Sequence, residues 1–172
     1  NMLEVLMMGD MPVFQALRLL IPPAWQNMPH MDTDLKAFLE YNSMHMEPWD
    51  GPAGMVINTG KYAICGVDRN GLRPTRYMVT KDRHITFASE IGVYNYAPED
   101  IIEKGRLKPG QVIAVDLETG TLLKPETIDA TLKSAKPYRE WMDKGYMRLE
   151  EKLNAQEALQ AWDTTQTDLY QK

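Results

Sequence analysis

The chain has 172 residues, a formal net charge of −5 and a single cysteine. Its 19 basic and 24 acidic side chains are mixed along the sequence, which argues against a basic nucleic-acid-binding surface. No apolar run approaches the roughly 20 residues of a membrane-spanning helix, and one cysteine excludes an internal disulfide bond. The composition indicates a globular domain in a reducing, cytoplasmic setting.

Three helices are predicted in the first 45 residues. The first has apolar residues at helical spacing and Gly9 as its C-terminal cap. The second covers residues 11–21 and ends at a Pro-Pro pair. The third covers residues 33–45, with Asp32 or Thr33 as its N-cap. Because the sequence starts inside the first helix, we expect the chain to be a piece of a longer polypeptide.

From residue 53 the periodicity changes to that of short β-strands separated by turn signals. Strands are predicted near residues 53–57, 61–68, 75–80, 84–89 and 111–117. Two of them, 61–68 and 111–117, carry apolar residues on both faces, which is typical of strands that are covered on both sides. The pattern predicts an α+β fold in which mainly antiparallel sheets pack on each other, with helices outside.

The remaining segments give weaker signals. Pro98 is predicted to begin a helical turn in the acidic stretch APEDIIEK. Residues 124–136 are predicted to be a connector. An amphipathic helix is predicted over residues 138–152, and a weaker helical stripe follows over residues 153–172.

Two clusters of methionine and histidine offer thioether and imidazole groups of the kind that bind Cu(I). They are Met28, His30 and Met31, and Met44, His45 and Met46. Metal ligands must converge on one point, whereas consecutive helical residues point in different directions. Methionine also fills gaps in hydrophobic cores, and the chain has 12 of them. Core packing is the favoured interpretation, and no metal site is predicted.

Cys65 is a candidate nucleophile. It lies in the middle of a predicted strand among apolar neighbours, where burial keeps a thiol protonated and unreactive. No histidine has a spacing that marks it as a partner of this thiol. The structural interpretation is therefore favoured over the catalytic one.

The stretch DRNGLRP is a candidate anion site. Arg69 and Arg73, together with Arg76, could hold a phosphate or a carboxylate. The simpler interpretation is that Asn70-Gly71 forms a tight hairpin turn and that Asp68 pairs with one of the two nearer arginines.

Several long blocks of the sequence carry a family resemblance. They are NSMHMEPWDGPAG, DRNGLRPTRYMVTKD, ASEIGVYNYAPEDIIEKGRLKPGQVIAVD and KPYREWM. In one order and with matching separations, they resemble the class II glutamine amidotransferases, and above all the amidotransferase domain of glutamate synthases. The resemblance implies a layered αββα sandwich of the N-terminal-nucleophile hydrolase type, present as an incomplete fragment. Residues 1–152 would be the C-terminal part of that domain, and residues 153–172 would lead into the next domain.

In this family an N-terminal cysteine attacks the side-chain amide of glutamine, with its own α-amino group as the base. An asparagine and a glycine N–H from an NGE motif stabilise the oxyanion. In glutamate synthases the ammonia then passes to a synthase domain, which makes glutamate from 2-oxoglutarate. The resemblance implies that FMN and an iron-sulfur cluster serve the parent protein outside this chain.

None of those catalytic positions is found in the sequence. Residue 1 is asparagine, and the one Asn-Gly pair, Asn70-Gly71, belongs to the DRNGLRP block. We therefore predict no catalytic, cofactor-binding or metal-binding residue in this chain, and we expect the isolated chain to be inactive.

The predicted partners are the rest of the parent polypeptide, with glutamine as its substrate and without nucleic acid or membrane. We also expect self-association through an uncovered apolar face that includes Met2, Leu6 and Met7. Two alternatives stay open. One is a catalytically inactive scaffold or interaction module of the same fold, and the other is a small anion-binding module that uses Arg69, Arg73 and Arg76.

Overall fold

The computed structural model describes residues 1–90 and 92–147, and the chain divides into two compact units, Asn1–Arg139 and Glu140–Lys172. The described residues form helices and two antiparallel sheets. The α-helices are α1 (Met2–Met8), α2 (Val13–Leu20), α3 (Thr33–Ser43), α4 (Pro125–Ser134) and α5 (Tyr138–Gly145), and 3₁₀ turns cover Trp25–Asn27 and Pro98–Asp100. No helix in the described ranges has the length and apolar character needed to cross a bilayer.

Seven strands build the two sheets within the described ranges. They are β1 (Gly54–Asn58), β2 (Tyr62–Val67), β3 (Arg76–Thr80), β4 (Ile85–Ala88), β5 (Ile101–Arg106), β6 (Val112–Asp116) and β7 (Thr121–Leu123). One sheet has the order β1-β2-β6-β7 and the other has the order β4-β3-β5. Every pairing is antiparallel, which confirms the predicted sheet type and all five predicted strands.

Local capping explains the boundaries of α1 and α3. The Asp32 side chain accepts hydrogen bonds from the N–H groups of Asp34 and Leu35, at 3.1 and 2.9 Å, so Asp32 is the N-cap of α3. This confirms one of the two predicted caps. The helix ends at Ser43, two residues before the predicted end. Gly9 caps α1 as predicted.

Three predictions about the second half of the chain were incomplete or wrong. A helical turn does begin at Pro98, but the strand β5 follows it directly, because IIEKGR gains its order from pairing with β3 and not from an apolar run. Residues 124–136 contain α4, which buries Ile128 and Leu132, one helical turn apart. Helix α5 ends at Gly145 instead of residue 152. The predicted stripe at 153–172 lies outside the described residues.

A helical layer packs against the four-stranded sheet. The ring of Phe14 in α2 lies 5.0 Å from the ring of Tyr62 in β2, and α4 contacts β6. On the other face of this sheet, Cys65 and Ile113 pack in a buried cluster against Phe87 of the three-stranded sheet. The described layers are therefore helix, sheet and sheet, in agreement with a sandwich of antiparallel sheets that has helices outside.

Candidate functional site

The segment that joins the two sheets, residues 68–75, is organised by Asp68. This side chain is only 2% exposed. Its carboxylate accepts hydrogen bonds from the N–H groups of Ala53 (3.2 Å), Asn70 (3.1 Å), Leu72 (2.9 Å) and Arg73 (3.1 Å). Burial alone would raise the pKa of this carboxyl, but the four donors outweigh burial and hold the pKa below its ordinary value of 3.8.

The predicted hairpin at Asn70-Gly71 is wrong. β2 and β3 belong to different sheets, so this segment is a crossover and not a hairpin turn. Gly71 has φ +64, and a Cβ atom at this position would lie 2.8 Å from Cγ of Pro109. The Asp68 carboxylate takes backbone amides as its partners, in place of the predicted arginine side chain. The crossover is thus a packed scaffold element.

The three candidate arginines do not converge on one site. Arg73 lines a cavity of about 250 Å³ together with Cys65, Thr75 and residues of β1 and β4. Arg76 lines a different groove of about 510 Å³ on the three-stranded sheet. Arg69 lines neither, and its buried Nε has no hydrogen-bond partner among the described residues. The geometry therefore does not support an anion site built from all three.

Cys65 has the environment of a structural thiol, as predicted. It is 1% exposed and packs with Val67, Leu107 and Ile113. Burial raises the pKa of this thiol to about 11, from an ordinary 9.0. At neutral pH it is a protonated thiol, which is a poor nucleophile.

The residues of the two methionine and histidine clusters lie mostly at the surface. Met28 and Met44 are 48% and 52% exposed, so the prediction that these two residues fill the core is wrong. Nδ1 of His45 lies 3.1 Å from the carbonyl oxygen of Tyr41. In the described ranges, no group of three or more His, Cys, Asp or Glu side chains could hold a metal ion.

The NSMHMEPWDGPAG block runs from the end of α3 to the start of β1. Asn42 is buried and donates to the carbonyl of Phe38 at 2.7 Å. The N–H of Trp49 donates to the carbonyl of Leu20 at 2.7 Å. The block is therefore anchored to the end of α2 as it leaves α3.

Sequence reasoning missed a buried ion pair. Arg18 is 3% exposed in α2. Its Nη2 lies 2.6 Å from Oδ1 of Asp129 in α4, and its Nη1 donates to the carbonyl of Gly110. The sequence does contain a sign of this ion pair, since Arg18 is a charged residue among the apolar residues of α2. A charge that is buried there requires a partner. The partner is 111 positions away, so the sequence pattern could not identify it.

Comparison with known proteins shows where this scaffold occurs. The family model described as glutamine amidotransferases class-II matches residues 1–141. The NADPH glutamate synthase large chain of Bacillus subtilis is 42% identical over 137 residues, which is 80% of this chain and 9% of that protein. Ferredoxin-dependent glutamate synthase 2 of Synechocystis is 44% identical over 142 residues, 81% of this chain and 9% of that protein.

A fungal relative gives the same result. The NADH glutamate synthase of Schizosaccharomyces pombe is 38% identical over 144 residues, which is 83% of this chain and 7% of that protein. The chain thus spans less than a tenth of the length of these three relatives. With its antiparallel sheets, its helical layer and the family match over most of its length, this chain belongs to the class II glutamine amidotransferases.

Proposed function

We propose that the chain is the C-terminal part of the glutaminase domain of a glutamate synthase, and that it acts there as a scaffold without catalytic residues of its own. The observation that carries this proposal is the ordered similarity to glutamate synthases over about four-fifths of the chain. In the parent protein, glutamine would be hydrolysed and its ammonia passed to a synthase domain that makes glutamate from 2-oxoglutarate.

The isolated chain is proposed to be inactive for a specific physical reason. Attack on an amide carbonyl needs a thiolate next to a base, together with donors that stabilise the oxyanion. Cys65 is the chain's one thiol, and burial raises its pKa to about 11. The residues around it are an apolar cluster instead of an oxyanion hole.

The cofactors of the parent would be bound outside this chain. An iron-sulfur cluster is held by several cysteine thiolates, whereas this chain contains only the buried Cys65. The residues present do not fit such a cluster, and the same position outside the chain is proposed for FMN. We propose a cytoplasmic location for the parent, since one unpaired cysteine suits a reducing compartment.

Self-association of the isolated chain is part of the proposal. Helix α1 is apolar on nearly all sides, a pattern typical of a helix that is buried all round. Its most exposed apolar residues are Val5 (58%) and Met8 (85%), with Met2 at 43%. Leu6 and Met7 are half-buried, so the exposed face differs from the one expected.

The test compares the full-length polypeptide with the 172-residue chain, using glutamine labelled with ¹⁵N at the side-chain amide. We expect labelled ammonia from the full-length protein and none from the isolated chain. We also expect Cys65→Ala in the full-length protein to leave turnover nearly unchanged. Ammonia release by the isolated chain that is lost on Cys65→Ala would overturn the proposal, and so would a full-length protein with no glutaminase activity.

A further inference from the structure

Two dipeptides of the chain have the chemistry of spontaneous backbone rearrangement. They are Asp50-Gly51 and Asn70-Gly71, the one Asp-Gly pair and the one Asn-Gly pair of the sequence. In such a pair the backbone nitrogen of glycine attacks the side-chain carbonyl carbon of the preceding residue. Glycine permits this attack because it has no Cβ atom to block the approach. An amide is a better electrophile than a carboxylate, so the chemistry of the dipeptides by itself favours reaction at Asn70.

The fold holds the Asn70-Gly71 pair away from this reaction. The N–H of Gly71 donates to the main-chain carbonyl of Asp68 at 3.0 Å, so the attacking nitrogen is committed to a backbone partner. The N–H groups of Asn70 and Leu72 donate to the Asp68 carboxylate at 3.1 and 2.9 Å. Pro109 packs against Gly71, where a Cβ atom would lie 2.8 Å from its Cγ. Ring closure at Asn70 therefore requires the crossover to open first.

The Asp50-Gly51 pair has the opposite geometry. The N–H of Gly51 donates to Oδ1 of Asp50 itself, at 2.8 Å, so the attacking nitrogen already lies beside the carboxyl group. Asp50 is exposed. Apart from its chain neighbours, a Cβ atom on Gly51 would meet no atom within 4 Å in the described part of the chain. There is therefore room for a ring to form and for water to reach it.

We propose that Asp50-Gly51 is a site of spontaneous isoaspartate formation in the folded protein, and that the folded crossover protects Asn70-Gly71. The Gly51 nitrogen forms a bond with Cγ of Asp50, the Cγ–OH bond of the protonated carboxyl breaks, and the hydroxyl leaves with the amide proton as water. Water then adds to one of the two carbonyl carbons of the resulting succinimide ring. Opening at Cγ restores aspartate, and opening at the main-chain carbonyl gives isoaspartate. One water leaves and one is taken up, so the reaction needs no cofactor.

Isoaspartate at this position would strain the entry to the four-stranded sheet, because its main chain is one carbon longer than that of aspartate. The segment is fixed on both sides. The N–H of Trp49 donates to the carbonyl of Leu20 at 2.7 Å, and the backbone of Ala53 exchanges hydrogen bonds with Asp68. Residues 50–52 lie between these anchors, so either they absorb the extra carbon or an anchor breaks. The modification therefore acts on the start of β1, which follows directly.

The first experiment ages the full-length polypeptide in mildly acidic and in neutral buffer, which favour ring closure at aspartate and at asparagine respectively. Peptide mapping by mass spectrometry locates isoaspartate and deamidation. We expect isoaspartate at position 50. At Asn70 we expect deamidation at least about tenfold slower than in the same protein in concentrated urea, because ring closure there has to wait for local opening. Absence of isoaspartate from position 50, or equally fast deamidation of Asn70 in the folded and unfolded protein, would overturn the proposal.

The second experiment places one dipeptide in both environments. Asp50→Asn gives the chain a second Asn-Gly pair, at the exposed position. In the folded protein we expect this pair to lose ammonia at least about tenfold faster than Asn70-Gly71, because only the latter depends on opening of the crossover. In urea the two pairs should react at similar rates. Equal rates in the folded protein would show that the geometry of the two sites does not control the reaction.

A third set of measurements isolates the carboxyl group and the effect of its rearrangement. Asp50→Glu keeps the charge, but ring closure then needs a six-membered ring that forms far more slowly, so the rearrangement at position 50 should disappear. In aged wild-type protein we expect faster hydrogen exchange in β1 than in fresh protein, and no such change in Asp50→Glu. Unchanged exchange in molecules that carry isoaspartate would overturn the effect on β1. None of these measurements uses glutaminase activity, so their outcome is independent of the proposed function.

Discussion

The two sheets use the same antiparallel pairing but differ in how they are covered. In the four-stranded sheet, Ile64 and Cys65 are adjacent in β2 and both are 1% exposed, so both faces of this strand are sealed. In the three-stranded sheet, the residues of β5 alternate between half-buried and exposed. One sheet has helices on one side and a sheet on the other, and the second sheet has cover on its inner side. Layer packing, and not strand pairing, therefore decides where the apolar surface is buried.

The covered and the open parts of the molecule also hold their charged groups differently. The charges of Arg18 and Asp68 lie in the well-covered half and are bound by several partners each. The charges of Arg76 and Arg106 stand opposite each other on the outer face of the three-stranded sheet, which also carries Met78 and is called the open face below. A buried charge needs hydrogen-bonding or charged partners, whereas water and salt screen an exposed one. The charges in the covered half are therefore bound by several groups, and those on the open face are screened by solvent.

The greatest loss of stability is expected from a cavity in the helical layer. Phe38→Ala removes a fully buried ring, 0% exposed, that packs edge-on at 5.2 Å against Tyr138. We expect the free energy of unfolding to fall by about 3–5 kcal/mol. Met78→Ala on the open face should lower it by about 1 kcal/mol or less. Urea unfolding of both variants measures the two free energies of unfolding. Equal losses would show that the helical layer and the open face bury their side chains equally well.

Between the sheets, the reactivity of Cys65 measures how well the interface is sealed. A pKa of about 11 in place of 9.0 lowers the thiolate fraction at about pH 8 roughly 100-fold. A chromogenic disulfide reagent should therefore label the folded chain at least about 100 times more slowly than the chain in concentrated urea. Because the pKa of Cys65 is raised in the folded chain, the contribution of the protonated thiol to the free energy of unfolding is complete below pH 9.0. It is lost as the pH rises towards 11. Rapid labelling of the folded chain would mean that the sheets separate readily.

At the crossover between the sheets, Asp68→Asn tests the carboxylate that holds the segment together. The amide keeps one acceptor oxygen and loses the charge, so we expect a loss of about 2 kcal/mol in the free energy of unfolding. Asp50→Asn, at an exposed carboxylate that accepts from the N–H of Gly51, is the matched control and should have little effect.

The same variant has a predicted pH signature. The folded pKa of Asp68 lies below its ordinary value of 3.8, so its contribution is present above pH 3.8 and is lost as the pH falls towards the folded pKa. The unsubstituted 172-residue chain should therefore lose stability in acid more steeply than the Asp68→Asn variant. Parallel acid-unfolding curves for the two proteins would show that the Asp68 carboxylate does not cause the loss of stability in acid.

The smallest expected effect lies in the three-stranded sheet. The hydroxyl of Tyr77 donates to Oε1 of Glu103 at 2.8 Å, so Tyr77→Phe removes one hydrogen bond to a carboxylate. We expect a loss of about 1 kcal/mol. Tyr94→Phe, at a residue that is 61% exposed, is the control and should be nearly neutral. A loss in Tyr77→Phe as large as that in Phe38→Ala would show that the open half is as tightly organised as the covered one.

Several local elements of this protein follow from residues that are close together in the sequence. Asp32 and Thr33 before an amphipathic segment marked the start of α3 to within one residue, and apolar residues on both faces marked β2 and β6 as strands covered on both sides. The apolar neighbours of Cys65 were sufficient to predict an unreactive thiol. These features depend on residues within a few positions of one another, where backbone conformation and periodicity act directly.

How distant segments meet depends on packing in the folded protein. Asn70-Gly71 has the sequence of a hairpin turn, yet the strands around it pair with β6 and β5 in different sheets. The Asp68 carboxylate holds the crossover by accepting from backbone amides within it and from the amide of Ala53 before β1. β5 is a strand because β3 pairs with it, and Arg18 is buried because Asp129 reaches it from 111 positions away. Such pairings are chosen by packing and charge neutralisation in three dimensions, and no local pattern specifies them.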